Sequence, residues 1–247
     1  MDPQSSASYQ HEEWYGWLEL TPEVGRWKVK LSEEAYRNQL EILASMSSGR
    51  RIVDVGAGEG VFGKIASDQG WDVICSDLNP RAKKFGTEIY GLQYQDLEDV
   101  APASVDVVRL SHVLEHIREP RSLLACVRRT LKPGGICVVL VPNYEPLSCL
   151  VRNLLLRCWP GQHDFRGEVY SPQHVLGFNL HSLERTFTLA GFCPVKVQSV
   201  SRGNRTYYRW KADGVPALAP RHIAYELLNN LGNLFGRGSW VIGYFRA

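Results

Sequence analysis

The sequence predicts an α/β fold in which helices alternate with the strands of a parallel sheet. Short apolar runs alternate with stretches of helical periodicity over the first two thirds of the chain. The first run, Ile52 to Val55, leads into a glycine-rich turn and then a helical pattern from Val61 to Gln69. A later run, Ile136 to Val141, is continuously apolar, as in a strand that is buried on both faces. Strands that alternate with helices in this way are typical of a parallel sheet.

The glycine-rich turn is the stretch Asp54-Val55-Gly56-Ala57-Gly58-Glu59-Gly60. Glycine permits positive φ and lets a ligand approach the backbone without a clash against a Cβ atom. The helix that follows adds unpaired N–H groups and a partial positive charge. The turn is therefore expected to bind a small ligand.

The spacing of the glycines argues against a nicotinamide-dinucleotide fingerprint. That pattern, Gly-x-Gly-x-x-Gly, begins at the end of the strand, and counting from Gly56 its third glycine would fall at Val61. A bare match through Gly58, Gly60 and Gly63 would begin inside the loop, too late to form the turn. The glycine spacing therefore disfavours a nicotinamide-dependent oxidoreductase.

Composition is that of an ordinary globular protein. The 247 residues are 44% hydrophobic and 22% charged, and their length fits one domain spanning 1–247. A formal net charge of +2 gives no global attraction to nucleic acid, so none is expected as a partner. The local basic cluster is interpreted as a solvated face rather than an acidic-ligand site; it comprises Lys196, Arg202, Arg205, Arg209 and Lys211.

Cysteine usage and the N-terminus predict a cytoplasmic protein. None of the six cysteines has Cys-x-x-Cys spacing, which leaves a zinc site of that type unsupported. A reducing compartment is the simplest setting for such cysteines. Met1 to Gln10 lack the apolar segment of a signal peptide, and no apolar run approaches the length of a membrane span.

The first 48 residues are expected to form an N-terminal extension. Tyr9 to Lys30 are rich in aromatic residues, and Pro22 and Gly25 are expected to interrupt any long helix there. Ser32 has the features of an N-cap, which predicts a helix from Glu33 to Met46.

The remaining elements follow from the same patterns. Predicted strands cover Trp71–Cys75, Leu92–Tyr94, Val105–Leu110, Val195–Val200 and Ser239–Arg246. Predicted helices run from Ser122 to Leu131, where Lys132 to Gly135 end the helix, and over Ser182–Ala190 and Arg221–Phe235.

Asp77 ends the second predicted strand about twenty residues beyond Gly56. Nucleotide-binding α/β folds place an acid there to accept hydrogen bonds from ribose hydroxyls. The alternative is an N-cap for the next helix, which Pro80 also fits.

The glycine turn, Val105-Asp-Val-Val-Arg-Leu110, Ser111-His-Val-Leu-Glu-His116 and Leu131-Lys-Pro-Gly-Gly135 together resemble the class I S-adenosylmethionine (SAM)-dependent methyltransferases. The resemblance is to the ubiquinone-biosynthesis-type and related small-molecule branches. It covers Arg51 to Pro142 well and Ser171 to Phe192 more loosely. It implies a Rossmann-like seven-stranded sheet of order 3-2-1-4-5-7-6, with the last pair antiparallel and helices on both faces. The implied division is an N-terminal helical extension (1–48), a SAM-binding core (49–142), a substrate-covering lid insertion after strand 5 (143–181) and the rest of the sheet (182–247).

The resemblance also implies a set of SAM-binding residues. Asp77 would contact the ribose, Asp96 the adenine, and the backbone of Ser111 and His112 the methionine ammonium. Leu78 and Leu97, next to the two acids, also belong to the set. A turn-forming role is the equal alternative for Asp96. Arg37 would bind the methionine carboxylate, although a surface role fits it as well. The set is completed by the turn residues Asp54, Gly56, Ala57, Gly58 and Gly60.

The expected reaction is methyl transfer to a small, apolar or ring-bearing acceptor, at a hydroxyl. A histidine is the usual base near neutral pH, and His112, His116 and His174 are the candidates, with His163 and His181 less favoured. Each of them has polar packing as its alternative role.

His112-x-x-Glu115-His116 also has the spacing of metal ligands on one helix face. Some ubiquinone-type enzymes have a metal-binding Glu-x-x-Glu-His here, but His112 replaces the first carboxylate, and Mg²⁺ prefers oxygen. No functional metal is therefore expected. The alternatives left open are an N-methyltransferase or nucleic-acid methyltransferase, an oxidoreductase and a non-catalytic cofactor-binding protein. The sequence lacks an Asn-Pro-Pro-Tyr motif after the fourth predicted strand, which counts against base N-methylation, and the spacing of its glycines counts against the oxidoreductase.

Overall fold

A computed structural model describes residues 20–151, 173–201, 227–228 and 230–247. The predictions for the aromatic segment before residue 20, for His163 and for most of the insertion lie outside these residues. So do Arg202, Arg205, Arg209 and Lys211 of the basic cluster.

Seven strands form one sheet in the order 3-2-1-4-5-7-6, which confirms the predicted topology. Strands β1 to β5 run parallel, whereas β7 is antiparallel to both β5 and β6. The carboxyl ends of β1 to β5 therefore meet at one edge of the sheet. The strands are β1 (Arg51–Val55), β2 (Asp72–Ser76), β3 (Gln93–Tyr94), β4 (Val105–Ser111), β5 (Leu131–Pro142), β6 (Cys193–Val200) and β7 (Trp240–Arg246).

Helices cover both faces of the sheet. The α-helices are α1 (Pro22–Met46), α2 (Val61–Asp68), α3 (Pro80–Tyr90), α4 (Pro120–Thr130) and α5 (Leu180–Leu189), and two 3₁₀ helices are η1 (Leu97–Asp99) and η2 (Leu114–His116). Residues 147–151, 227–228 and 230–233 are also helical. Among the described helices, none is both long and apolar enough to span a bilayer.

A separate hydrophobic core lies on each face of the sheet. On one face, Leu124 of α4 and Phe187 of α5 pack with sheet residues that include Phe245. The rings of Phe187 and Phe245 stack 4.0 Å apart. On the other face, Leu40 of α1 and Phe62 of α2 pack over the opposite side of the sheet. The two cores hold the strand ends in fixed relative positions.

Helix α1 begins at Pro22, so the predicted start after Ser32 is wrong. Thr21 is the N-cap, and its Oγ1 accepts a 3.3 Å hydrogen bond from the Val24 N–H. Proline suits the first helical position because no partner is needed there for its missing N–H. Gly25 lies within α1 and packs against α3, where a Cβ atom would lie 2.6 Å from the Tyr90 hydroxyl. Ser32 is buried within the helix.

Strand β5 also begins earlier than predicted, at Leu131 rather than Ile136. Leu131 pairs with Val105, and the register shifts before Ile136 pairs with Val107. The irregularity spans Lys132 to Gly135, the residues that the sequence predicts to end the preceding helix. A bulge of this kind accommodates a proline that a regular ladder would not.

Candidate active site

The glycine turn connects β1 to α2 in the conformation that its composition predicts. Gly56, Gly58 and Gly60 all have positive φ, at 69°, 55° and 86°. The N–H groups of Gly56 and Ala57 both donate to the Ser76 carbonyl, at 2.8 and 3.1 Å. The turn is thereby attached to the end of β2.

Close packing around the turn excludes larger residues. A Cβ atom on Gly56 would lie 2.4 Å from Val113 Cγ2, and one on Gly60 would lie 2.4 Å from Leu92 Cδ1. The Tyr94 hydroxyl donates a 2.8 Å hydrogen bond to the Gly58 carbonyl. Burial raises the pKa of Tyr94, so it remains a donor. Contacts from three neighbouring parts of the fold therefore fix the shape of the turn.

Asp77 lies at the carboxyl end of β2 and contacts the turn directly. Its Oδ2 accepts a 2.7 Å hydrogen bond from the Gly58 N–H, and its Oδ1 accepts one of 2.8 Å from the Asn79 N–H. The N-cap of α3 is Asn79, whose Oδ1 accepts from the N–H groups of Arg81 and Ala82. The capping role considered for Asp77 therefore belongs to Asn79. A carboxylate has about four acceptor positions, so Asp77 retains capacity for ligand hydroxyls. Leu78, beside it, is exposed.

Two more of the predicted cofactor-binding side chains, Asp96 and Arg37, are exposed, whereas Leu97 is buried. Asp96 is exposed, and its Oδ1 lies 3.1 Å from Lys83 Nζ. Leu97 is buried at the start of η1. Arg37 forms an ion pair of 2.7 Å with Glu33 on its own helix. The cofactor-binding roles of Asp96 and Arg37 therefore stay predictions, beside the turn-forming alternative for Asp96 and the surface alternative for Arg37.

Lys28 is a basic residue of α1 that does contact the turn, through an ion pair with Glu59. Sequence periodicity did not identify Lys28, because the predicted helix began after it.

A buried ion pair lies beneath the turn. Asp54 is fully buried, and its Oδ1 lies 2.7 Å from an Nη atom of Arg109 on β4. The Arg109 Nε donates to Gln39 of α1 at 3.2 Å, and its guanidinium lies 4.1 Å from the centre of the Phe62 ring. Burial raises the pKa of the Asp54 carboxyl, and Arg109 opposes that rise. Arg109 was not among the residues predicted from the sequence; a lone arginine inside an apolar strand was the available signal.

His112 follows the end of β4 in a strained conformation. Its φ is +58°, and its backbone N–H donates to the Leu140 carbonyl at 2.9 Å. Its Nδ1 lies 3.2 Å from Glu115 Oε1, and its ring packs edge-on against Trp240 with centroids 4.1 Å apart. Ser111, the last residue of β4, pairs with Leu140 of β5. Positive φ in a non-glycine residue is costly and concentrates at functional sites.

The three predicted catalytic histidines converge around Glu115. His116 Nδ1 lies 3.1 Å from the Gln173 carbonyl, and the His116 and His174 rings are 4.9 Å apart. Burial lowers the pKa of His116, although Glu115 opposes this shift. The N–H groups of Val175 and Leu176 donate to the Glu115 backbone carbonyl, at 2.8 and 3.1 Å.

Glu115 itself is fully buried, and one of its oxygens, Oε2, has no hydrogen-bond partner in the part of the chain that the structure describes. The sequence placed Glu115 only among doubtful metal ligands. His181 is an exposed residue of α5.

Comparison with known proteins identifies the family. The family model described as a methyltransferase domain matches residues 28–197. The chain belongs to the SAM-dependent methyltransferases. The predicted enzyme class and cofactor are thereby confirmed.

The names of individual relatives state different methyl acceptors. A ubiquinone biosynthesis O-methyltransferase of Psychrobacter arcticus is 28% identical over 58% of this methyltransferase and 67% of the relative. The human thiol S-methyltransferase TMT1B is 32% identical over 47% of the chain and 52% of the relative. The chain thus spans about half to two thirds of the length of these relatives.

Solved structures agree on the fold. A SAM-dependent methyltransferase of Archaeoglobus fulgidus gives a TM-score of 0.60 at 18% identity, covering 89% of this chain and 94% of that one. A phosphoethanolamine N-methyltransferase of Haemonchus contortus, in complex with SAM, also gives 0.60 at 20% identity, covering 86% and 52%.

Proposed function

We propose that this methyltransferase transfers the methyl group of SAM to a hydroxyl of a small, ring-bearing acceptor, with His112 as the general base. The observation that carries the proposal is the position of the His112–Glu115 pair. His112 follows β4 directly, and the next residue, Val113, packs against Gly56 of the glycine turn. The base is therefore held next to the segment that would bind the cofactor.

The cofactor would lie across the carboxyl ends of β1 to β4. The cofactor would lie against the backbone of the turn from Gly56 to Gly60, and Asp77 would accept hydrogen bonds from the ribose hydroxyls. Asp96 remains a proposal for the adenine amino group, and the Ser111 carbonyl remains one for the methionine ammonium. We also propose that residues 1–247 act as one domain, in the cytoplasm.

The chemistry follows from the charge of the sulfonium. Bound SAM would supply an electrophilic methyl group: the acceptor oxygen would bond to the methyl carbon, the S–CH₃ bond would break with its electron pair left on sulfur, and S-adenosylhomocysteine would be the product. The hydroxyl proton passes to His112. Because the Nδ1 of His112 faces the Glu115 carboxylate, the carboxylate orients the ring and stabilises the imidazolium that forms. Holding the two reactants in line supplies much of the rate.

A thiol acceptor is the second candidate, supported by the similarity to human thiol S-methyltransferase TMT1B. The same histidine would then accept a thiol proton. The two candidates differ only in the acceptor, and the cofactor site is common to both.

The first experiment is calorimetric titration of the purified protein with SAM, S-adenosylhomocysteine and NAD. Binding of the first two, lost in Asp77→Ala, is the expected result. Transfer of labelled methyl from SAM to panels of phenols, thiols and amines then identifies the acceptor class. Failure to bind SAM would contradict the cofactor site, and transfer to amines alone would contradict both acceptor candidates.

The base is tested separately. His112→Gln should lower kcat by about 10²- to 10⁴-fold, since this is the usual contribution of a positioned general base. SAM affinity should stay unchanged within about threefold, because the variant keeps the backbone of the site. His181→Gln, an exposed histidine, is the matched control. Full activity of His112→Gln would assign the proton transfer to another group.

A further inference from the structure

An open cavity lies at the amino-end edge of the sheet, where α4 ends and β5 begins. Its volume is about 630 Å³, which is within the usual range of about 300–1,000 Å³ for small-molecule sites. Leu131, which lines it, pairs with Val105, the first residue of β4. The glycine turn and His112 follow the opposite, carboxyl ends of their strands. The cavity is therefore separate from the candidate active site.

Three basic side chains line this cavity, and no aspartate or glutamate of the described residues does. Arg128 and Arg129 belong to the last turn of α4, and Lys132 belongs to β5. Other lining residues are small or apolar, among them Ala125, Leu131, Pro133 and Ala190. A ligand with an anionic head and a short apolar body would match both kinds of lining.

Arg129 and Lys132 are held in place by bonds that leave some of their donors unused. Among the described residues, the hydrogen bonds of Arg129 all come from Nη2, which donates to three backbone carbonyls between Leu97 and Val100 at 2.8–3.4 Å. A guanidinium has five N–H donors, so Nε and Nη1 retain theirs. Lys132 donates one of its three N–H bonds to Asp106. Both side chains can therefore bind an anion without losing their present contacts.

Arg128 has no hydrogen-bond or ion-pair partner among the described residues. Its guanidinium lies against the turn between α5 and β6, because a Cβ atom on Gly191 would be 3.3 Å from Arg128 Cζ. Basic residues at the end of a helix often bond to its last carbonyls. Here the last two carbonyls of α4 accept instead from the N–H groups of Ala103 and Ser104, at 2.8 and 3.0 Å. Capping of the helix therefore does not account for Arg128.

We propose that this cavity binds a small phosphate monoester whose ester group is short and apolar. Asp106 balances the charge of Lys132, which leaves two arginines to balance a phosphate monoester of charge about −2. The planar fork of a guanidinium matches two phosphate oxygens. The apolar lining would contact the ester group. Because the cavity and the glycine turn lie at opposite edges of the sheet, this ligand and SAM would bind together.

Binding is measured directly, so the test does not depend on methyl transfer. The purified 247-residue protein is titrated calorimetrically with butyl phosphate, inorganic phosphate, butanol and pentanoate, with and without saturating S-adenosylhomocysteine. We expect one butyl phosphate per chain, with the same affinity in both conditions. It should bind at least about tenfold more tightly than inorganic phosphate, since each buried CH₂ raises affinity by up to about fourfold. Butanol and pentanoate should bind more weakly than butyl phosphate.

Two variants and a control decide the assignment to the cavity. Arg128→Gln should weaken butyl phosphate binding by at least about tenfold, because it removes a charge-assisted hydrogen bond. Ala125→Glu should weaken it at least as much, because it places a like charge in the cavity. Arg121→Gln changes an exposed arginine of the same helix that does not line the cavity, so it should bind like the parent. Circular dichroism and SAM titration verify folding, which both cavity variants should retain because Arg128 and Ala125 are exposed.

Four results would overturn the proposal. The first two are no binding of butyl phosphate to the parent protein and unchanged affinity in folded Arg128→Gln. The third is an equal loss of affinity in Arg121→Gln, which would show that general surface charge attracts the anion. The fourth is equal affinity for pentanoate, which would assign the cavity to carboxylates.

Discussion

Gly56 is constrained twice, by its backbone conformation and by its neighbour. Its φ of +69° disfavours any residue with a Cβ atom, and the space for that atom is filled by Val113. The glycines of the turn are therefore the residues whose roles the sequence predicts best. Tolerance of positive φ is a property of glycine itself, so no tertiary information was needed to predict positive φ at these positions.

Comparison of Gly56→Ala with Gly70→Ala separates the two constraints. Gly70 has φ of +78°, but no atom lies within 4 Å of the position that a Cβ atom would take there. Gly70→Ala should lower the free energy of unfolding by about 1–2 kcal/mol through backbone strain alone. Gly56→Ala should cost a further 1–3 kcal/mol or so through overpacking, and it should weaken SAM binding. Urea denaturation and calorimetry measure both, and equal losses in the two variants would show that the contact with Val113 relaxes freely.

Arg109 matters because Asp54 has been removed from water. Arg109→Met should lower the free energy of unfolding by about 3–5 kcal/mol, since it leaves a buried carboxylate without its cation. Adding Asp54→Asn should recover part of this loss. Lys84→Ala, which removes an exposed pair with Glu88, should cost no more than about 1 kcal/mol. Similar denaturation midpoints for Arg109→Met and Lys84→Ala would contradict this role.

At the scale of secondary structure elements, Asp106 links three strands at the amino-end edge of the sheet. Its Oδ2 accepts a 3.0 Å hydrogen bond from the Arg51 N–H of β1, and its Oδ1 accepts one of 2.8 Å from Lys132 of β5. A Cβ atom at Gly49 would lie 2.3 Å from this carboxylate. The irregular start of β5 is therefore tied to β4 by a charge, which strand propensity does not reveal.

Asp106 predicts a pH-dependent stability difference. Burial by itself would raise the pKa of Asp106, but Lys132 and the Arg51 N–H outweigh it and lower the pKa below its ordinary value. A carboxylate with a lowered pKa contributes stability above its unfolded pKa, about 3.9, and that contribution disappears as pH falls through the folded pKa. Asp106→Asn should therefore lose about 1–2 kcal/mol at pH 7.

The difference from the parent protein should shrink as pH falls below about 4. Urea denaturation of both proteins at a series of pH values measures it. A difference that stays constant down to pH 3 would show that the charge of Asp106 is not what stabilises the strands.

At the scale of the whole molecule, parallel strands bring separate segments to one edge. The turn after β1, Asp77 after β2 and the His112–His116 stretch after β4 meet there, and the segment from Gln173 to Leu176 closes against them through Glu115. A ligand bound at this edge should stabilise the whole fold against unfolding, because the two hydrophobic cores hold the strands together.

SAM should therefore stabilise the entire protein. At a concentration of 100 times its Kd, the gain in unfolding free energy is about 2.7 kcal/mol, which corresponds to a rise in Tm of roughly 5–10 °C for a chain of this size. NAD should give no rise. Asp77→Ala should reduce the shift at the same SAM concentration, whereas Asp72→Ala, at the amino end of β2, should leave it intact. An unchanged shift in Asp77→Ala would contradict its role at the cofactor site.

The sequence by itself determined the features that depend on local chemistry and periodicity. The strand and helix alternation, the glycine turn with its positive φ values and the position of Asp77 beside it all follow from residues close together in the chain. The resemblance to methyltransferases added the strand order and the cofactor, and both are confirmed.

Tertiary structure decided the features that depend on packing between distant segments. Helix α1 begins at Pro22, with Gly25 packed on α3, and Lys28 of this helix, rather than Arg37, contacts the turn. Arg109 pairs with Asp54, and His174 joins Glu115 and His116, only because the fold buries these polar groups together. Burial sets the energetic value of a charge or an imidazole, and burial is a property of the folded chain rather than of any local stretch of sequence.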